Sequence, residues 1–142
     1  MVSWLDVFRD EINIIFVSKE DAYWADDMYC INPGCTCKEA VLCFHRITTG
    51  KIEYLGAISI TLPSGKFSST MSQQENERQL KRLWNELRKR PGILALLNER
   101  MRRIMPIGHE IVRLSAGGKE LLHVPSSGKV GRNDKKAKAT HN

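Results

Sequence analysis

The fold and the chemistry of this chain are decided around residues 30–47, CINPGCTCKEAVLCFHRI. Asn32, Pro33 and Gly34 are the residue types of a tight turn, so the cysteine-rich first half of the stretch is predicted to form a knuckle. Apolar residues then predominate over residues 40–47, a pattern typical of a strand. The stretch therefore predicts a turn that leads directly into a sheet.

The sheet is predicted to continue beyond this strand as a series of hairpins. Residues 48–51, TTGK, have the composition of a hairpin turn, and residues 52–62 are rich in β-branched residues that alternate toward the end. Residues 63–66, PSGK, predict a second turn, after which Phe67 opens a third strand.

The N-terminal part carries weaker signals. Residues 3–12 have the apolar spacing of a short amphipathic helix. Residues 18–29 are rich in charged side chains and are expected to form a loop, with Tyr23 and Trp24 as anchors.

Two helices are predicted over residues 72–105. Ser72 and Glu75 have the spacing of a capping box, and Pro91 ends the first helix and begins the second. Pro106 and Gly108 are expected to end the second helix. The apolar stripes are Leu80, Leu83, Trp84 and Leu87 in the first helix and Leu94, Leu97, Met101 and Ile104 in the second.

The C-terminal part is predicted to contain one more hairpin, with strands over residues 109–114 and 120–124. Residues 125–142 are polar and basic and are expected to be a disordered tail. The predicted fold is therefore α+β: a zinc knuckle, a small antiparallel sheet, an N-terminal helix and a two-helix segment, all within one domain over residues 1–124.

The cysteines point to a metal site. All four of them fall within residues 30–43, and Cys30, Cys35 and Cys37 lie on or beside the predicted turn. Zinc favours sulfur and imidazole ligands, and a cysteine-rich set is typical of a structural site. One structural Zn²⁺ per chain is therefore predicted, with these three thiolates as ligands.

The fourth ligand is left open by the residues. Cys43 and His45 are two positions apart in a predicted strand, so their side chains share one face, and either could complete the site if the strand folds back over the knuckle. His109 could also reach the site from a distant part of the chain. Disulfides, ordinary buried thiols and a redox-active cysteine are the alternatives to a metal.

Residues 29–41, YCINPGCTCKEAV, resemble the knuckle YC-x-(N/D)P-x-C-x-C-x-x-V of uncharacterised bacterial proteins, some of which are associated with the SEC-C type of zinc motif. The resemblance implies zinc binding through Cys30, Cys35 and Cys37, and it implies no reaction. SEC-C motifs place their last two ligands side by side, whereas Phe44 separates Cys43 from His45 here.

The charge distribution permits an anionic partner. The chain has a formal net charge of +6, and its basic residues concentrate in the helical half. A solvated helix face is the preferred interpretation of these basic residues, and nucleic acid or a ribonucleoprotein is the first choice if the helices bind a partner. The candidate contacts are Lys81, Arg82, Arg88, Lys89 and Arg90.

Other classes of function receive less support. No phosphate-binding loop or catalytic triad stands out, so a non-enzymatic module is expected, with a protein-interaction adaptor and a metal-dependent enzyme as alternatives. The start of the chain lacks the features of a signal peptide, and no apolar stretch is long enough to span a bilayer. A cytoplasmic protein without a membrane partner is therefore expected.

Overall fold

The computed structural model describes residues 1–32, 34–71 and 74–117 of the 142-residue chain. The strands in these ranges are β1 (Val2–Ser3), β2 (Ile14–Ser18), β3 (Asp21–Tyr29), β4 (Glu39–Thr48), β5 (Lys51–Thr61) and β6 (Lys66–Thr70). The helices are α1 (Trp4–Val7), α2 (Gln74–Arg88) and α3 (Ile93–Gly117). An antiparallel sheet packed with helices confirms the predicted α+β class.

The sheet is built mainly from hairpins between strands that are consecutive in sequence. Its order is β1-β3-β4-β5-β6, and β2 pairs with the first half of β3, on the edge that β1 also uses. The predicted turns at residues 48–51 and 63–66 connect β4, β5 and β6 as expected. Gly50 in the first of these turns has a φ of 70°, a conformation that glycine adopts at little cost.

The core lies between one face of the sheet and the helices. The predicted stripe of α2 is buried, and the indole Nε1 of Trp84 donates a hydrogen bond of 3.0 Å to the carbonyl oxygen of Gly65. This bond fixes α2 over the turn between β5 and β6. The strands contribute inward-facing Phe16, Tyr23, Ala25, Tyr29, Ala40, Leu42, Phe44, Ile58 and Ile60.

The prediction of a loop over residues 18–29 is wrong, because most of this segment is the long strand β3. A two-residue turn begins it: Lys19 and Glu20 both have positive φ angles, of 51° and 74°. Such turns usually carry Asn or Gly, so the sequence gives little sign of this hairpin. The predicted N-terminal helix is also shorter than expected, since α1 is a single turn.

The prediction that the second helix ends at Pro106 and Gly108 is wrong as well. Helix α3 continues through both residues to Gly117, so residues 109–114 are helical and do not form a strand. A Cβ built on Gly108 would lie 1.6 Å from the carbonyl oxygen of Ile31. The glycine therefore serves close packing inside the helix, and Pro106 is tolerated there at the loss of one helical hydrogen bond.

Several predictions lie outside the described residues. They are the capping interaction of Ser72, the strand over residues 120–124 and the tail over residues 125–142. Within the described part of the chain, no helix is both long and apolar enough to cross a membrane.

Candidate metal centre

Three of the four cysteines converge at one end of the sheet. Cys30 directly follows β3, and Cys35 and Cys37 lie in the connection that returns the chain to β4. The three Sγ atoms all lie within 4.8 Å of one another. No disulfide joins them, since all four cysteines are free.

Turn chemistry brings the thiols together. The amide N–H of Gly34 donates to the side-chain oxygen of Asn32 at 3.0 Å, and the amide N–H of Cys35 donates to the Asn32 carbonyl oxygen at 3.0 Å. Asparagine often closes turns in this way, by accepting from the backbone two residues on. The turn reverses the direction of the chain, so Cys35 and Cys37 lie beside Cys30.

Hydrogen bonds within the cluster favour one thiolate. The backbone N–H of Cys37 donates to Cys35 Sγ at 3.4 Å. This bond, followed by donation from the thiols of Cys37 and Cys30, lowers the pKa of Cys35. The pKa of Cys37 is raised, chiefly because its proton is shared with Cys35. Cys35 is therefore the more readily ionised of these two thiols, and a thiolate is the form that binds metal.

A small cavity separates the thiol cluster from α3. Its volume is about 10 Å³, and the three cysteines line one side of it. Met101, Met105 and His109 line the other side. These three residues are spaced by four along the helix, so they lie on one helical face. A space of this volume holds about one water-sized sphere.

Cys43, the expected fourth thiolate, is not part of this cluster. In β4 it pairs with Asp26 of β3, four residues before Cys30, which is about 13 Å along an extended strand. Its thiol donates to the sulfur of Met28 at 3.6 Å. Burial, with a smaller contribution from Asp26, raises the pKa of Cys43 to about 11, so the group stays protonated at neutral pH.

His45, the other expected fourth ligand, also lies apart from the cluster. Its ring stacks on Trp24 with the ring centres 4.5 Å apart, and Tyr54 approaches its other side at 5.3 Å. Cys43 and His45 share one face of β4 as predicted, but this face is turned away from the core and the helices. The strand does not fold back over the knuckle, because it is paired along its whole length between β3 and β5.

The basic residues of α2 and of the two positions that follow it are largely engaged within the protein. Arg82 bonds to the hydroxyl of Ser18 at 2.8 Å, and Arg90 donates to the carbonyl oxygen of Val17 at 2.5 Å. Arg88 donates to the carbonyl oxygen of Ser64 at 3.3 Å, and Lys81 forms an ion pair of 3.1 Å with Glu77 in the same helix. Lys89 makes no such contact within the described ranges.

A larger cleft opens beside the thiol cluster. Its volume is about 470 Å³, and Cys35 and Cys37 contribute to its wall. The rest of the wall is mainly apolar and includes two cationic side chains. Its apolar residues include Leu62, Pro63, Met101 and Met105, and its polar and cationic residues include Lys38, Asn98 and Arg102.

Sequence reasoning and structure agree on Cys30, Cys35 and Cys37 as neighbours, and the structure adds the helix α3 beside them. His109 follows two residues that resemble helix-ending signals, so its place in a helix facing the knuckle was not predicted. Comparison with protein-family models, with curated proteins and with solved structures gives no match. The resemblance of residues 29–41 to a zinc knuckle therefore stays a prediction.

Proposed function

We propose that this protein is a small, non-enzymatic module built around a structural zinc site, with Cys30, Cys35 and Cys37 as ligands. The observation that carries the proposal is the convergence of the three Sγ atoms within 4.8 Å. Four-coordinate zinc with Zn–S bonds of about 2.3 Å places its sulfur ligands about 3.8 Å apart. A contraction of at most about 1 Å in a short surface connection would complete this arrangement.

The ligand chemistry favours zinc in a structural role. Thiolate sulfur is a soft ligand that selects zinc over magnesium or calcium. Three thiolates also donate enough charge to make the ion a weak Lewis acid, and no carboxylate joins the cluster among the described residues. The four cysteines form no disulfide, which is the state expected in the reducing cytoplasm. The three clustered thiols are therefore free to bind one ion per chain.

Native mass spectrometry of the untagged, zinc-loaded chain tests this proposal. The wild type is expected to retain one zinc ion, and Cys35→Ser to lose it or to bind far more weakly. Cys43→Ser is the matched control, because the same chemical change is made to a thiol outside the cluster. Retention of zinc by Cys35→Ser, or its loss from Cys43→Ser, would contradict the proposed ligands.

Nucleic acid or a ribonucleoprotein is our first proposal for the partner of this module. Lys89 supports it, as a cation directly after α2 with no ion pair in the described part of the chain, and so does the net charge of +6. Fluorescence anisotropy with a short RNA at several salt concentrations tests it. Lys89→Ala should weaken binding and reduce the salt slope by about 1, whereas Lys51→Ala, at the start of β5, should change neither. An unchanged slope in Lys89→Ala would contradict this partner.

A protein-interaction adaptor is the second candidate, and the 470 Å³ cleft favours it. Methionine side chains adapt to varied apolar partners, and Lys38 and Arg102 provide positive charge, so an acidic peptide with apolar side chains fits this cleft. A peptide-library selection should enrich such sequences on the wild type, and Met105→Glu should release them. Enriched peptides that bind Met105→Glu equally well would contradict the cleft as their site.

A further inference from the structure

Helix α3 presents a potential metal ligand to the thiol cluster. Met101, Met105 and His109 occupy successive turns of one helical face, and all three line the 10 Å³ cavity together with the cysteines. Of these three side chains, the imidazole is the one whose nitrogen is a preferred zinc ligand. The cavity therefore combines three sulfur ligands from one element with a nitrogen ligand from another.

The helix is held against the knuckle at the residue before this histidine. Gly108 packs so closely on Ile31 that a Cβ there would lie 1.6 Å from the Ile31 carbonyl oxygen and 2.6 Å from its carbon. Ile31 is itself adjacent to Cys30. A backbone contact thus fixes the position of residue 109 relative to the first thiol.

The His109 ring is free to turn toward the cluster. His109 is exposed and lines the cavity, and no hydrogen bond holds its ring within the described ranges. The one other polar side chain among the lining residues, Asn32, already accepts a hydrogen bond from Gly34. The histidine is therefore the lining residue best able to complete a tetrahedral set.

We propose that His109 is the fourth ligand, so that Cys30, Cys35, Cys37 and His109 form a closed site. The inference rests on the proposed zinc function and adds a role for it: the ion clasps α3 to the connection between β3 and β4. Zinc with four protein ligands leaves no position for an activated water, which agrees with a non-enzymatic role.

Cobalt substitution tests the fourth ligand. Cobalt-loaded wild type should show thiolate-to-metal charge transfer and the ligand-field bands of a tetrahedral S₃N site. His109→Ala should keep the charge-transfer bands, shift the ligand-field bands and lower the zinc affinity at least 10-fold, since loss of supporting groups alone costs about 10–100-fold. His109→Cys should restore the affinity with an S₄ spectrum. His45→Ala is the matched control, because His45 lies on the opposite face of the sheet. Its cobalt spectrum and zinc affinity should match those of the wild type.

The outcomes separate this inference from the proposed function. If the wild type binds neither cobalt nor zinc, the zinc site itself is wrong. If the wild type binds metal and His109→Ala has the same spectrum and affinity, the cysteine site stands and the fourth ligand is not His109.

Zinc K-edge absorption of the wild type tests the fourth ligand without any variant. It should show three sulfurs at about 2.3 Å and one imidazole nitrogen at about 2.0 Å, and a spectrum without the outer-shell scattering of an imidazole overturns the inference.

Discussion

Arg100 donates two hydrogen bonds from Nη1 to the carboxylate of Asp27, at 2.8 Å and 2.9 Å, inside the protein core. The side chains are 3% and 2% exposed. The hydroxyl of Tyr29 donates to the same carboxylate at 2.7 Å, and Nη2 of Arg100 donates to the carbonyl oxygen of Ile12 at 2.7 Å. One buried network therefore joins β3, α3 and the segment before β2.

Removing one partner of this pair should destabilise the protein strongly. Arg100→Met leaves the Asp27 carboxylate buried without its cation, and such changes cost about 3–5 kcal/mol in the free energy of unfolding. The measurement is urea denaturation followed by tryptophan fluorescence. Arg102→Ala is the control, because that arginine is exposed and pairs with Glu99 one turn away, and a change within about 0.5 kcal/mol is expected.

The double variant Asp27→Leu with Arg100→Met sharpens this prediction. Replacing both charges with apolar side chains removes the unpaired carboxylate, so much of the stability lost in Arg100→Met should return. A double variant as unstable as the single one would show that shape, and not the buried charge, determines the loss.

The same pair explains why β3 could not be predicted. Its inward positions are Tyr23, Ala25, Asp27 and Tyr29, and the carboxylate breaks the apolar alternation that marks a strand. Asp27 is acceptable in the core only because Arg100 arrives from 73 positions along the chain. By contrast, β4 and β5 were predictable because their apolar residues and turn signals are local.

The limits of prediction at the metal centre have the same origin. The three thiols lie close in sequence, so their clustering could be predicted from the turn alone. The position of His109 beside the thiols depends on the path of a helix that passes through Pro106, and the sequence signals at this point favour a helix end. The contact of Gly108 with Ile31 joins residues that are far apart in sequence, so the residues around Gly108 cannot predict it.

Gly108→Ala should destabilise the protein although it raises helix propensity. In an exposed helix this substitution gains up to about 1 kcal/mol. Here the new Cβ meets the Ile31 backbone, which cannot move as a flexible side chain can, so a loss of about 1–3 kcal/mol is expected in a urea titration. Ala95→Gly, at an exposed position of α3, is the matched control and should lose about 1 kcal/mol from propensity alone. A Gly108→Ala variant more stable than the wild type would refute the close contact.

Asp26→Asn should stabilise the protein at neutral pH. Burial raises the pKa of Asp26 above its ordinary value of 3.8, against the opposing hydrogen bond from Ser3. The folded state therefore favours the protonated form, and the stability that this group contributes is greatest below pH 3.8 and is lost as the pH rises through the folded pKa. An asparagine avoids that loss, so its advantage should be largest at pH 7 and should shrink toward acid pH.

Urea denaturation at a series of pH values checks this prediction. Asp10→Asn serves as the control, because Asp10 is exposed and its neutralisation should leave the free energy of unfolding nearly unchanged at each pH. If Asp26→Asn is less stable than the wild type at pH 7, the charged carboxylate is favourable and its bond to Ser3 outweighs the cost of burial.

Chelation of the metal should lower the stability of the folded protein, by an amount that follows the logarithm of the free zinc concentration. A ligand that binds only the folded state adds a free energy of RT ln(1 + [L]/Kd), which is about 2.7 kcal/mol at a free zinc concentration 100 times Kd. Melting temperatures of the wild type and of Cys43→Ser should therefore rise with zinc and fall on addition of chelator, whereas Cys35→Ser should respond to neither. The response should also disappear on acidification, because protons compete with the ion for the thiolates.

Hydrogen exchange locates the effect of zinc in the structure. Zinc should slow amide exchange both in the β3–β4 connection and around Gly108 if the ion holds these two elements together. Slowing confined to the connection would show that the thiols bind the ion without α3, and a melting temperature indifferent to zinc would remove the structural role altogether.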